Sequence, residues 1–521
     1  MSKAPKVKFR NGPVVLVSRK IAFTFPLSYA YLAGYLREQG EDVRMVFRDS
    51  DPCHLVKEIM ELDPVLVGFG SLYPELKEIG QIIHLLDKAG RQFPVVIGGQ
   101  MVTPIPDFSV KITGADFGVI GEGEIILHEL VKALRNSSDV MSVKGLAVRS
   151  DGEVFLTGPG AFIKDLTKLP AVPYDLFPQD EWLPIGRWYA GNVPQPHWRI
   201  SDRVINVHGG RGCPFDCNFC YHHSKPRYRP IPLMIAEGDE TLERFKGNFL
   251  YFSDDLVLAT PTRARQLVEA IKALKRPIHY SVSARFDILA KMDDQLLYEM
   301  KKTGCRIMGL GIESGSDRIL KLIGKNCTAD SILNGLTRLG KAGILPTVSI
   351  MVGQDTETRE DVEASVRLMR ESVRIEPNIR YAFTITTPFP GSKLYDQIFR
   401  KRYLHDHQEF YDRYFSSSGD WKQVVNLSEM RDEEVREMYA KLRRAYREER
   451  ARVTGKKTIL LAYSQILLGR TYGLLTEKFL SKNSKIGLIN RLTYLIGSFY
   501  DYIQAKLEIC RLKFEGIWDK K

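Results

Sequence analysis

The sequence predicts an α/β protein in three parts: a doubly wound parallel sheet, a partial TIM-like barrel of six β/α units, and a helical carboxyl-terminal region. Short β-branched runs alternate with stretches of helical periodicity over the first 150 residues and again over residues 204–395. After residue 401 only the helical period remains. The 521 residues, 44% of them hydrophobic, suffice for several domains and exclude wholesale disorder.

The first part is predicted to be one domain, residues 1–150. Glycines follow several of its strands, and at the carboxyl edge of a parallel sheet they let a ligand approach the backbone. Ordinary tight turns would explain the same glycines. The strands are predicted at residues 14–17, 43–47, 65–69 and 95–97, with helices at 28–39, 55–62 and 76–89.

A Pro-rich linker, residues 151–200, is predicted to lead into the barrel, residues 201–400, and then into a helical basic region, residues 401–521. A charged helix is expected at residues 432–453. The barrel strands are predicted at residues 204–207, 249–252, 279–282, 307–310, 347–351 and 381–386.

Three cysteines lie within eight residues just after the first barrel strand: Cys213, Cys217 and Cys220. A zinc site would usually add a fourth ligand, and His222 and His223 keep that alternative open. Three cysteines also suit a [4Fe–4S] cluster that leaves one iron free to bind a substrate or cofactor. The other cysteines are scattered and are expected to be structural thiols, not a second cluster: Cys53, Cys305, Cys327 and Cys510.

This C-x3-C-x-aromatic-C spacing resembles the signature of the radical S-adenosylmethionine (SAM) superfamily. The resemblance implies a [4Fe–4S] cluster on the three cysteines, with SAM on its open iron and reductive cleavage to a 5′-deoxyadenosyl radical. From the residues alone, Asp254 and Asp255 would also fit a solvated strand end, and Arg285 and Glu313 an ion pair. The resemblance implies SAM-contacting residues at Phe219, Asp254, Asp255, Ser283, Arg285 and Glu313.

The strand-end motifs Gly68-Phe-Gly70-Ser71, Ile97-Gly98-Gly99-Gln100 and Gly121-Glu-Gly-Glu124 resemble the cobalamin (B12)-binding domain that precedes many radical SAM barrels. This implies a Rossmann-like domain. The usual cobalt-ligating D-x-H-x-x-G motif is not matched, because Asp51 and His54 have a different spacing, so His54 is expected to be a surface or packing residue. The residues implied to face cobalamin are Ser71, Gly98, Gly99, Gln100 and Gly121.

Together the resemblances imply a cobalamin-dependent radical SAM methyltransferase acting on an unactivated carbon of a small molecule. An electron donor such as flavodoxin or ferredoxin is expected. The alternative is an enzyme of the same architecture that performs cyclisation, oxidation or C–C coupling without methyl transfer, with or without cobalamin. The amino-terminal part offers only Cys53, whereas methylthiotransferases carry three additional cysteines there.

Most of the basic excess lies in the tail: residues 451–521 carry +8 of the formal charge of +12. From residue 486 onward, apolar residues recur at helical spacing between basic ones. The stripe fits packing on the barrel or contact with a lipid surface; nucleic acid is disfavoured because no recognised binding motif accompanies the charge. Lipid contact would favour an apolar or lipid-like substrate and a peripheral position at the membrane. The oxygen sensitivity of the implied cluster favours a cytoplasmic enzyme. No spanning helix or signal peptide is expected.

Overall fold

The computed structural model describes residues 11–19, 25–48, 51–70, 72–178, 203–221, 224–416 and 423–454. Predictions for Ser71, His222, His223, Cys510 and the basic tail lie outside the described residues. No helix of the described part is long and apolar enough to cross a membrane. The α/β fold class is confirmed, because the described residues form two mainly parallel sheets connected by helices.

Within the described residues, the first sheet has seven strands in the order β2-β1-β3-β4-β5-β6-β7. The strands β1 to β5 pair in parallel, as the alternation of strand and helix predicts. An antiparallel hairpin, β6 and β7, extends the edge to Leu156, beyond the predicted domain end at residue 150. The strands are β1 (Val14–Arg19), β2 (Val43–Arg48), β3 (Leu66–Gly70), β4 (Val95–Gly98), β5 (Phe117–Val119), β6 (Leu146–Ser150) and β7 (Glu153–Leu156).

Amphipathic helices pack against this sheet and bury its apolar strands. Asp51 caps the second helix by accepting the backbone N–H groups of Cys53 and His54 at 3.0 and 3.3 Å. His54 is exposed, which confirms its assignment as a surface residue. The helices are α1 (Leu27–Glu38), α2 (Pro52–Glu61), α3 (Leu76–Lys88), α4 (Pro106–Thr113) and α5 (Gly123–Arg135).

The second sheet, as described, has six parallel strands in the order β8-β11-β12-β13-β14-β15. Because β8 and β15 are edge strands that do not pair with each other in the part of the chain that the structure describes, the barrel is open, as predicted for a partial barrel. Each predicted barrel strand is found, with bounds that differ by three residues at most. The strands are β8 (Val204–Val207), β11 (Phe249–Phe252), β12 (His279–Ala284), β13 (Cys305–Glu313), β14 (Leu345–Val352) and β15 (Arg380–Ile385).

Helices follow the barrel strands and bury their apolar faces against the second sheet. Several begin with an N-cap; Thr358, for example, forms a capping box with Asp361. The helices are α6 (Ile231–Arg244), α7 (Pro261–Lys272), α8 (Phe286–Leu289), α9 (Asp294–Lys302), α10 (Asp317–Leu322), α11 (Ala329–Ala342) and α12 (Arg359–Ile375).

The carboxyl-terminal helices α13 (Lys393–Arg400), α14 (His407–Ser416) and α15 (residues 432–454) follow the barrel. Helices α13 and α14 pack into the core of the first sheet, whereas α15 packs against the barrel core. The charged helix predicted at residues 432–453 is therefore confirmed. These helices brace the amino-terminal domain against the barrel.

Candidate active site

The motif cysteines lie on one loop, residues 212–226, which follows β8 at the carboxyl edge of the second sheet. We refer to it as the cysteine loop. At its base, β9 (Gly210–Arg211) and β10 (Arg227–Tyr228) pair antiparallel and form its neck. Gly212 begins the loop with φ +78°, and a Cβ there would come within 2.6 Å of the Ser224 carbonyl oxygen. This turn therefore requires glycine.

The cysteine loop carries three thiols, with Cys213 and Cys217 partly buried and Cys220 exposed. In the described residues, no group of three or more His, Cys, Asp or Glu side chains forms a site for a single metal ion. A four-iron cluster has a different requirement, because its thiolates bind different irons. The donor set fits the predicted cluster, whereas the zinc alternative depends on His222 and His223, which are not described.

Arg285 lies directly against the cysteine loop. It is buried, and its Nη1 lies 3.1 Å from Cys217 Sγ. Asp287 accepts two hydrogen bonds from the guanidinium at 3.0 Å, and the guanidinium carbon lies 3.8 Å from the centre of the Phe215 ring. Arg285, predicted to contact SAM, is therefore fixed beside a motif cysteine. Its SAM role stays a prediction.

Asp254 anchors the turn that precedes the neck. Its Oδ1 accepts the backbone N–H groups of Gly209 and Gly210 at 2.7 and 2.5 Å. Its Oδ2 is buried and has no hydrogen-bond partner among the described residues. Burial raises the pKa of Asp254 from 3.8 to about 7, because the charged form loses hydration. Asp255 is exposed, and the partly buried Ser283 accepts the N–H of Val257 at 3.3 Å.

Glu313 ends β13 in a left-handed conformation, with φ +65°. Its buried carboxylate accepts hydrogen bonds from Lys325 Nζ at 3.2 Å and from Ser349 Oγ at 3.0 Å. The alternative pairing of Arg285 with Glu313 is therefore wrong, because each has another partner. Lys325 Nζ also lies 5.9 Å from the centre of the Phe219 ring, which connects Glu313 to the cysteine loop.

Four of the five residues predicted to face cobalamin lie at or just after the ends of two strands: Gly98 ends β4, Gly99 and Gln100 follow it, and Gly121 lies in the loop after β5. Gly98 is partly buried, Gly99 and Gln100 are exposed, and Ser71 is outside the described residues. A Cβ at Gly121 would meet no atom within 4 Å, so this glycine borders open space. These positions lie at the edge where parallel sheets bind ligands. Their contact with cobalamin stays a prediction.

Two features of the site were not predicted from the sequence. Glu122, in the loop after β5, and Glu124, in the first turn of α5, form ion pairs with Arg211 at 2.6 and 2.5 Å and so join the two domains. His208 follows β8, and its ring centre lies 5.9 Å from that of Tyr31 in α1. Burial, followed by the charge of Arg211, lowers the pKa of His208 to about 4 and keeps it neutral. The position of His208 between the end of β8 and the cysteine motif was the one signal in the sequence that could have indicated a residue of the site.

Comparison with known families agrees with this geometry. Residues 15–131 match the B12 binding domain family, and residues 207–369 match the radical SAM superfamily. The protein thus combines a radical SAM domain with an amino-terminal B12-binding domain. These two domains agree with the cofactors that the sequence implies, namely a [4Fe–4S] cluster and SAM for the radical SAM domain and cobalamin for the B12-binding domain.

Relatives of this architecture include methyltransferases and a cyclase. The chain is 29% identical to an uncharacterized methyltransferase of Pyrococcus horikoshii, over 71% of this chain and 78% of the relative. It is 24% identical to the anaerobic magnesium-protoporphyrin IX monomethyl ester cyclase of Rubrivivax gelatinosus, over 75% and 69%. The fold resembles that of the methyltransferase TsrM from Kitasatospora setae, solved with cobalamin and a [4Fe-4S] cluster, with a TM-score of 0.58, 19% identity and 75% coverage of each chain.

Proposed function

We propose that the protein is a cobalamin-dependent radical SAM methyltransferase that acts on an unactivated carbon of a small-molecule substrate. One observation carries the proposal: Arg211, at the neck of the cysteine loop, lies 2.6 Å from Glu122, in a loop at the ligand-binding edge of the B12-binding domain. A substrate between these edges would be close to both cofactors. The methyltransferase relative supports the transfer of a methyl group.

The residues on and beside the cysteine loop suit the implied cofactors. The thiols of Cys213, Cys217 and Cys220 would ligate three irons, and the unpartnered Oδ2 of Asp254 would accept a hydrogen bond from the ammonium of SAM. When bound, the cluster, SAM and cobalamin supply one-electron reduction, a carbon radical and a methyl carrier. Arg285 would hold positive charge at Cys217.

Methyl transfer can be tested by product mass. With SAM labelled in its methyl group, a candidate substrate should gain a labelled methyl while 5′-deoxyadenosine accumulates. An unlabelled product formed with 5′-deoxyadenosine would instead favour the cyclase, oxidoreductase or C–C coupling alternative, which the cyclase relative supports. Corrin absorbance after purification with cobalamin supports the methyltransferase, and failure to retain cobalamin contradicts it.

The cluster can be tested without a substrate. We expect anaerobic reconstitution to give iron–sulfur absorbance that disappears when Cys213, Cys217 and Cys220 are replaced by alanine. The matched control is Cys53→Ala with Cys327→Ala, which removes two thiols outside the cysteine loop and should leave the absorbance unchanged. A full cluster in the triple variant would contradict the assignment.

The finer parts of the proposal rest on sequence. The apolar stripe of the tail favours an apolar or lipid-like substrate and peripheral contact with a membrane. A protein truncated after residue 454 should then bind anionic vesicles less well than the full chain, without loss of solubility. Aggregation of the truncated protein would favour packing of the tail on the barrel. Flavodoxin or ferredoxin is the proposed source of the electron.

A further inference from the structure

The neck of the cysteine loop brings two positive charges together. Arg211 on β9 lies directly opposite Arg227 on β10 in an antiparallel pair. Like charges at opposed positions of a β ladder destabilise it. Both side chains are also mostly removed from solvent, with 13% and 16% of their surface exposed. The neck therefore needs negative partners from elsewhere in the molecule.

Those partners come from the B12-binding domain. Glu122 Oε2 accepts Arg211 Nη1 at 2.6 Å, and its other oxygen accepts Arg227. Glu124 Oε1 accepts Arg211 Nη2 at 2.5 Å. Both carboxylates are only 5% exposed, so two buried carboxylates neutralise two guanidinium groups. Glu122 spans both strands of the neck, and Glu124 holds one of them.

The amino-terminal half also covers the two arginines. The guanidinium of Arg227 lies 4.8 Å from the centre of the Phe162 ring and donates to the carbonyl of Ile163. The guanidinium of Arg211 lies 5.9 Å from the centre of the Tyr31 ring. Burial alone lowers the pKa of Arg211, but Glu124 and Glu122 raise it above its usual value. The four charges thus form one desolvated network.

The network continues into the loops predicted to face cobalamin. Gly121, next to Glu122, donates its N–H to Thr103 Oγ1 at 3.0 Å. Thr103 Oγ1 donates in turn to the carbonyl of Gly99 at 3.1 Å. Hydrogen bonds and ion pairs therefore connect the loop after β4, the loop after β5 and the neck of the cysteine loop.

We propose that Glu122 and Glu124 are positioning residues that fasten the neck of the cysteine loop to the B12-binding domain, so that retention of the iron–sulfur cluster depends on this domain. The inference rests on the proposed assignment of the cluster to the cysteine loop. Glu122 acts through Arg211 and Arg227, and Glu124 acts through Arg211.

The test measures the cluster itself. We compare the full-length wild type with the double variant Glu122→Gln with Glu124→Gln, after anaerobic reconstitution. The matched control is Glu61→Gln with Glu129→Gln, which makes the same change of two charges at exposed positions of the same domain. We expect the double variant to lose its cluster to a chelator about tenfold faster, as loss of outer-shell partners typically weakens metal sites. The electron paramagnetic resonance signal of its reduced cluster should also broaden. The control should match the wild type.

A second variant separates positioning from folding. Arg211→Gln with Glu124→Gln removes one charge of each sign, so no buried charge loses its partner, and Glu122 still pairs with Arg227. This variant should keep the wild-type melting temperature and still lose its cluster faster. Cluster loss at the wild-type rate in both double variants would overturn the inference alone. A wild-type chain that assembles no cluster would overturn the proposed function as well.

Discussion

Replacing Asp254 by asparagine distinguishes the roles of its two carboxylate oxygens. The amide oxygen can still accept the N–H groups of Gly209 and Gly210, which Asp254 Oδ1 accepts at 2.7 and 2.5 Å. The amide nitrogen that replaces Oδ2 is a donor and cannot accept a hydrogen bond from an ammonium group. We therefore expect Asp254→Asn to keep the fold and to weaken the binding of SAM.

The size of the effect follows from the kind of hydrogen bond lost. A hydrogen bond to a charged group contributes about 1.5–3 kcal/mol, which corresponds to a roughly 10- to 150-fold rise in the Kd for SAM. Asp254→Ala also leaves two buried backbone N–H groups without an acceptor, at about 1–3 kcal/mol each. The alanine variant should therefore have a lower melting temperature, whereas the asparagine variant should not.

Equilibrium dialysis of radiolabelled SAM against reconstituted protein measures the first effect, and thermal unfolding measures the second. The assay is set at about pH 8, because burial raises the pKa of Asp254 to about 7 and the carboxylate must be ionised. Asp294→Asn, at a side chain 78% exposed, is the matched control. An unchanged Kd in Asp254→Asn would refute the ligand role of Oδ2, and an unchanged melting temperature in Asp254→Ala would refute the anchor.

Three further predictions concern other parts of the molecule. Arg285→Met with Asp287→Asn removes the hydrogen bond to Cys217 and should lower the cluster's reduction potential by roughly 60 mV, a tenfold change in a one-electron equilibrium, in a dye-mediated titration; an unchanged potential contradicts this. Burial raises the pKa of Glu357 from 4.5 to about 8, so its contribution to stability is complete below pH 4.5 and is lost as the pH rises through 8. Between about pH 5.5 and 7.5, the free energy of unfolding of the wild type should fall by roughly 3 kcal/mol relative to that of Glu357→Gln, as measured by urea unfolding. The same difference in unfolding free energy between the two proteins at both pH values would exclude this. Phe410→Ala empties a fully buried position and should cost about 3–5 kcal/mol of stability, measured by calorimetry, whereas an unchanged transition would show that α14 does not brace the domains.

Local signals in the sequence were sufficient for β1 to β4, for the six barrel strands and for the cysteine loop, but not for the three-residue strand β5. Strands and helices were predicted because burial of one or both faces leaves a periodic pattern that a few neighbouring residues reveal. The spacing of Cys213, Cys217 and Cys220 is equally local. The hairpin of β6 and β7 was missed because its exposed second strand, Glu153–Leu156, lacks a buried apolar run.

The partners of the charged residues were decided only by the tertiary structure. The alternative ion pair of Arg285 with Glu313 was wrong, because Asp287 lies two residues from Arg285 and Lys325 faces Glu313. The pairing of Glu122 with Arg211 joins residues 89 positions apart.

The sequence by itself thus determined the class of enzyme, since strand alternation and cysteine spacing are local properties of the chain. The tertiary structure decided how the B12-binding domain meets the cysteine loop. That contact depends on which loops from two separate sheets come together and exclude water, and no short stretch of sequence contains that information.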